Sequence, residues 1–149
     1  MTVKIEELLE RDGKIMELTV GGSMRPMLKN RSNPIVIERV SRDLRINDIV
    51  LFKRQQKYVL HRIIKHVGDD FIIRGDNCYD NEYVSNGQII GILSGFYKGD
   101  KYVDCQTDFW YKVYVIVWRF IYPLRFCIKK TWDFGMRVLS FIKRRILKR

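Results

Sequence analysis

The sequence predicts a mainly β protein that ends in an amphipathic helical tail. Short runs rich in Val, Ile, Phe and Tyr, bounded by Asn, Asp or Gly, fill most of the stretch before residue 109. Near Phe109 the composition changes, and large apolar residues begin to recur at steps of three and four. The charge divides at the same place. Of a formal net charge of +11, residues 109–149 hold eleven Lys and Arg against one acid, Asp133, so the preceding body is nearly neutral. At 149 residues, 46% hydrophobic and 30% charged, the chain is long enough for one real core and too apolar to be disordered. The expected organisation is a β domain over 1–108 and a basic, aromatic-rich tail over 109–149.

In order along the chain, "VKIEELLER" (3–11) reads as a short helix with Ile5, Leu8 and Leu9 on one side. The runs "KIMELTV", "NPIVIERV", "NDIVLFKR", "KYVLHRIIKHV", "DFIIRGD", "GQIIGILSGFYKG" and "KYVDC" read as strands. The fourth and fifth form a hairpin that turns at Gly68-Asp69-Asp70. Lys112, Arg119 and Arg125 interrupt "FWYKVYVIVWRFIYPLRF", and Pro123 breaks it. Beyond it Leu124, Ile128, Trp132, Met136, Leu139, Ile142 and Ile146 form one side of a helix, opposite Lys130, Asp133, Arg137 and Arg144.

Several classes are disfavoured. The acid-rich N-terminus has no apolar run to serve as a signal or anchor. Cys78, Cys105 and Cys127 are odd in number and far apart, which argues for a reducing compartment and against a disulfide framework or a zinc site. A membrane span needs about 20 mostly apolar residues, and charges recur too often in the tail for that. Basic residues opposite Trp and Phe fit a helix lying on anionic lipid, with packing against the β body as the plain alternative. Nucleic acid is not the expected partner.

Three places carry candidate chemistry. "GGSMRPMLKN" (21–30) sets Ser23 between two glycines and a proline, which alone reads as a turn. His61 lies in "YVLHRIIKH", where strand alternation puts it on the face of Val59 and Ile63. "RGDNCYDNEYV" clusters Asp76, Asp80 and Glu82 after a glycine, again a turn when taken alone.

Taken together, "GSMRPML", "NDIVLF", "VLHRII" and "IRGDNC", in this order, resemble the boxes of the signal peptidase I superfamily, which also holds the self-cleaving repressors of the SOS response. The resemblance covers residues 15–95, with Asn47 standing where the family has glycine. Where most bacterial members and the repressors place a lysine, this chain has His61. "VLHRII" is therefore similar to the endoplasmic-reticulum, archaeal and sporulation-type signal peptidases, which pair serine with histidine. Arg62 is no alternative base.

The resemblance implies a catalytic β core and a serine endopeptidase acting on an extended peptide or precursor segment, without metal or cofactor. Ser23 would be the nucleophile and His61 the base, since a neutral imidazole takes a proton near pH 7. The acid behind the histidine lies in or after the last box, with Asp76, Glu82 and Asp80 as candidates in that order; the family's paired aspartates correspond to Asn81 and Glu82. The Ser23 amide would help bind the oxyanion, and Gly21 and Gly22 leave room for substrate. Beside the family, this chain is expected to be a shortened, stand-alone member without an N-terminal anchor; with no export signal and a basic tail, it is expected to be cytoplasmic and peripheral at the inner membrane face. The alternative is a non-catalytic membrane-surface adaptor that keeps the peptidase fold.

Overall fold

The computed structural model describes residues 4–146, with side chains through Lys143. Val3, the first residue of the expected N-terminal helix, lies outside the described residues, as do the side chains of Arg144 and Ile146, expected on opposite sides of the tail helix. Helix α1 (Ile5–Asp12) turns Leu9 inward, with Ile5 and Leu8 half-buried. Gly13 ends it at φ +73, where its N–H returns to the Leu9 carbonyl, a left-handed cap that suits glycine.

Eight strands follow: β1 (Lys14–Leu18), β2 (Pro34–Glu38), β3 (Ile49–Arg54), β4 (Lys57–Val67), β5 (Asp70–Arg74), β6 (Glu82–Val84), β7 (Ile89–Lys98) and β8 (Lys101–Asp104). All seven expected runs form strands. The short β6 was not expected, because three residues inside an acid-rich turn show no periodicity. The strands make one antiparallel sheet, curled into a half-barrel, in the order β1-β2-β7-β3-β4-β5-β6, with β8 paired to β7. The β4–β5 hairpin turns where expected, with Gly68 at φ +61.

The core explains the register. Val50, Phe52, Ile63, Phe71, Ile73, Val84 and Ile92 pack with Leu44, and partly buried Val59 joins them. Each fully buried aliphatic here contributes roughly 1.5–3 kcal/mol of transfer free energy. His61 pairs in register with Val50 and its ring centre lies 6.0 Å from that of Phe52, so it shares the face of Val59 and Ile63 as alternation predicts. β4 pairs with β3 over Lys57–Arg62 but with β5 only from Arg62 onward. Among the described residues, its first half, ending at His61, therefore has a strand on one side only.

The chain divides into two compact units at Val113/Tyr114. The first takes in the opening turn of α2 (Phe109–Phe120), where Tyr111 is buried. In the second, α2 gives way at Ile121 to α3 (Tyr122–Ile146), with Pro123 in the first turn of α3, where the missing N–H is harmless. Leu124, Ile128, Trp132, Met136, Leu139 and Ile142 of α3 are all exposed. No described helix is long and apolar enough to cross a membrane.

Candidate active site

The Ser23 turn is held from beneath. Met24, Met27 and Leu28 are buried and act as apolar anchors, leaving Ser23 half-buried at the wall of a cavity of about 630 Å³. Gly21 sits at φ +103, a backbone region open to glycine, and its N–H donates to Asn30 Oδ1 at 2.8 Å. Among the described residues the Ser23 N–H has no hydrogen-bond acceptor, so it is available to a ligand.

The last box closes over this turn. The Asn77 N–H donates to the Ser23 carbonyl at 2.7 Å, and Asn77 Nδ2 donates to the Gly22 carbonyl at 3.2 Å. Gly75 is confined. A Cβ there would lie 2.7 Å from the Ser23 carbonyl oxygen, 2.9 Å from Cys78 Sγ and 3.0 Å from His61 Nε2. The turn carrying Ser23 and the Nε2 edge of His61 thus press on the same small space, which only glycine leaves open. Both residues line the one cavity, with Asp80 and Glu82.

On the far side of the ring, His61 Nδ1 stands 2.8 Å from Glu82 Oε1. The contact lacks full hydrogen-bond geometry, and the carboxylate acts on the ring's protonation first through its charge. Oε2 of the same carboxylate accepts from Arg54 Nη1 at 2.8 Å. Burial pushes the imidazole below its ordinary range; the Glu82 charge opposes this, and Arg54 adds to it. His61 is consequently neutral, and able to take a proton, at neutral pH.

The candidate acids do different things. Asp76, first in the sequence order, is turned away from the ring: Arg62 grips it with two hydrogen bonds of 2.7 Å, Nε to Oδ1 and Nη2 to Oδ2. Both partners are buried. Arg62 also donates from Nη1 to the Asn47 carbonyl at 2.9 Å and to the Tyr111 hydroxyl at 3.2 Å. Asp80 is exposed at the cavity rim. Glu82 is the carboxylate on the histidine.

Sequence reasoning missed Arg54 and the Arg62–Asp76–Tyr111 cluster. Nothing in "KRQQKY" marks Arg54, because its partner lies on a strand that the pattern did not show. Asn47, which departs from glycine, adopts φ +80, a left-handed geometry that asparagine tolerates. Cys105 is no rival nucleophile, since burial pushes its thiol up to about 12. Among the described residues, no three His, Cys, Asp or Glu side chains group as metal ligands do.

No protein-family model matches the chain, and no curated protein is similar enough to count as a relative. The functional reading therefore rests on the geometry and on the residues themselves.

Proposed function

We propose that this chain is a serine endopeptidase resembling the Ser–His signal peptidases, with Ser23, His61 and Glu82 as its working residues. The observation that carries the reading is the shared packing of the Ser23 turn and His61 Nε2 against Gly75, with Glu82 behind the ring at Nδ1. A buried neutral imidazole between a serine turn and a carboxylate is what nucleophile activation needs.

Substrate enters as an extended segment. Among the described residues β1 pairs only with β2, and the first half of β4 only with β3. Ile15 and Ile37 on one side and Leu51 and Leu60 on the other give the cavity between them an apolar lining. No hydrogen bond joins the Ser23 hydroxyl to the ring in the resting chain; such bonds tighten once substrate fills a site. His61 Nε2 then takes the hydroxyl proton as Ser23 Oγ attacks the scissile carbonyl. The oxyanion meets the Ser23 N–H. The protonated ring passes its proton to the departing amine, and water releases the acyl group by the same route in reverse. The test is labelling by a fluorophosphonate probe with peptide mapping: Ser23→Ala and His61→Ala each abolish the label in a folded protein, whereas a wild-type chain that never reacts at Ser23 supports the adaptor reading.

The second unit suggests where the enzyme works. We propose that α3 lies on an anionic lipid surface. Exposed Trp132, Leu139 and Ile142 supply the apolar side, while Lys129, Lys130, Arg137 and Lys143 supply charge worth roughly 1 kcal/mol each near such a surface. Lys130 stands over the Phe126 ring at 4.8 Å, a cation–π contact on the side of the helix opposite Trp132 and Leu139. A cytoplasmic position at the inner membrane face is the location this proposal implies.

A further inference from the structure

Arg54 ends β3 at the tight turn into β4, where it pairs in register with Lys57 and is followed by Gln55 at φ +56. The turn fixes its backbone. Its guanidinium reaches the cavity wall and holds Glu82 Oε2 at 2.8 Å, while Oε1 of the same carboxylate stands 2.8 Å from His61 Nδ1. Glu82 arrives from β6, on the far side of β5. Its flexible side chain has several rotamers to lose, and the contact at Nδ1 lacks full hydrogen-bond geometry and so is a weak constraint on its own. A second contact at the outer oxygen removes that freedom.

We propose that Arg54 is a positioning residue for the Ser23–His61 pair: it anchors the outer oxygen of Glu82 and thereby keeps the inner oxygen at the histidine. The inference rests on the peptidase reading above. Arg54 also acts on the ring through charge. The groups whose charge reaches His61 are Glu82 from β6, Asp76 from the segment after β5, and Arg54 from β3. The two carboxylates favour the protonated ring and Arg54 opposes it, so Arg54 helps to set the pH at which the base becomes available. Because Arg54 is exposed, the pair is modest and salt-sensitive.

The test follows His61 directly by NMR titration in the full chain, with His66→Gln so that a single histidine reports. Arg54→Met frees Glu82, whose raising influence on the ring exceeds the opposing influence of the arginine charge, so the His61 midpoint falls by roughly a few tenths of a pH unit, and Arg54→Lys restores most of it. In parallel, fluorophosphonate acylation of Ser23 is timed at pH 8, where the ring is neutral throughout. Arg54→Met slows it roughly threefold to fivefold, and Arg54→Lys recovers part of the loss. A merely structural arginine would leave the midpoint unmoved, and one acting by charge alone would raise it. An unchanged midpoint and rate in a folded Arg54→Met chain, with Ser23 reactive in the wild type, overturns this inference alone. A wild-type Ser23 that never reacts overturns the peptidase reading and the positioning role with it.

Discussion

Glu82 Oε1 stands 2.8 Å from His61 Nδ1, while Asp76, the carboxylate nearer the glycine of the last box, is held by Arg62. The two acids of one short segment are thereby given separate work, one on the base and one in the core.

That division predicts opposite phenotypes. Asp76→Ala leaves the Arg62 guanidinium buried without its carboxylate, a loss on the order of 3–5 kcal/mol. Glu82→Ala leaves only an exposed arginine and a neutral ring, so its cost in stability is below about 1 kcal/mol. Urea unfolding of the two variants checks this. Equal losses would contradict the assignment.

Glu82→Gln should slow acylation of Ser23 by roughly a hundredfold or more, because the imidazolium loses its counter-charge. The sign of its pH effect is fixed. Glu82 favours the protonated ring, so its removal moves the acid limb of the profile further down. In the wild type that limb already lies below the ordinary histidine range of about 6.5, since burial disfavours the charged form. A limb at or above this value would mean that His61 is not the buried group described here.

Gly75→Ala places a methyl group 2.7 Å from the Ser23 carbonyl oxygen and 3.0 Å from His61 Nε2. Backbone cannot yield cheaply, so the turn or the ring must move. The expected result is a loss of about 1–3 kcal/mol in stability, with Ser23 acylation slowed even in the fraction that stays folded. Full activity in Gly75→Ala would show that the shared packing is dispensable.

Much of this was legible in the sequence, and the limits have physical causes. The runs of β-branched and aromatic residues fixed seven strands, and alternation along β4 gave His61 its face. The Ser23 turn was marked by Gly21 and by Pro26. What pattern could not show is which acid meets the ring, because that depends on how far β6 lies from β4 across the curled sheet. Arg62 was visible only as a residue unfit to be a base, although its burial decides the fate of Asp76. Arg54 carried no signal at all, because a hairpin arginine looks the same whether or not a glutamate waits across the sheet.

A linkage effect away from the site tests the packing of α1. Burial raises the Glu6 carboxyl, but hydrogen bonds from Tyr58 and Lys53 outweigh it and hold the group down at about 2. A depressed carboxylate contributes stability that is present above its unfolded value of about 4.5 and lost as pH falls toward 2. Glu6→Gln should therefore be less stable than wild type at pH 6, with the gap closing progressively on acidification. A gap that does not depend on pH would place the effect outside this ion pair.

The tail predicts a salt-dependent partition. The full chain should sediment with vesicles containing phosphatidylserine at low salt and release as salt rises. Trp132→Ala together with Leu139→Ala should weaken binding without altering acylation of Ser23. Binding that ignores both salt and these substitutions would contradict the surface-helix proposal.

The most direct test of the central claim is the rate of fluorophosphonate acylation measured against pH, with the modified residue identified by peptide mapping. The account predicts a label on Ser23 alone, a rate that climbs with pH through a midpoint below about 6.5, and at least a hundredfold loss in folded His61→Ala. A label elsewhere, or an equal rate in His61→Ala, would contradict it.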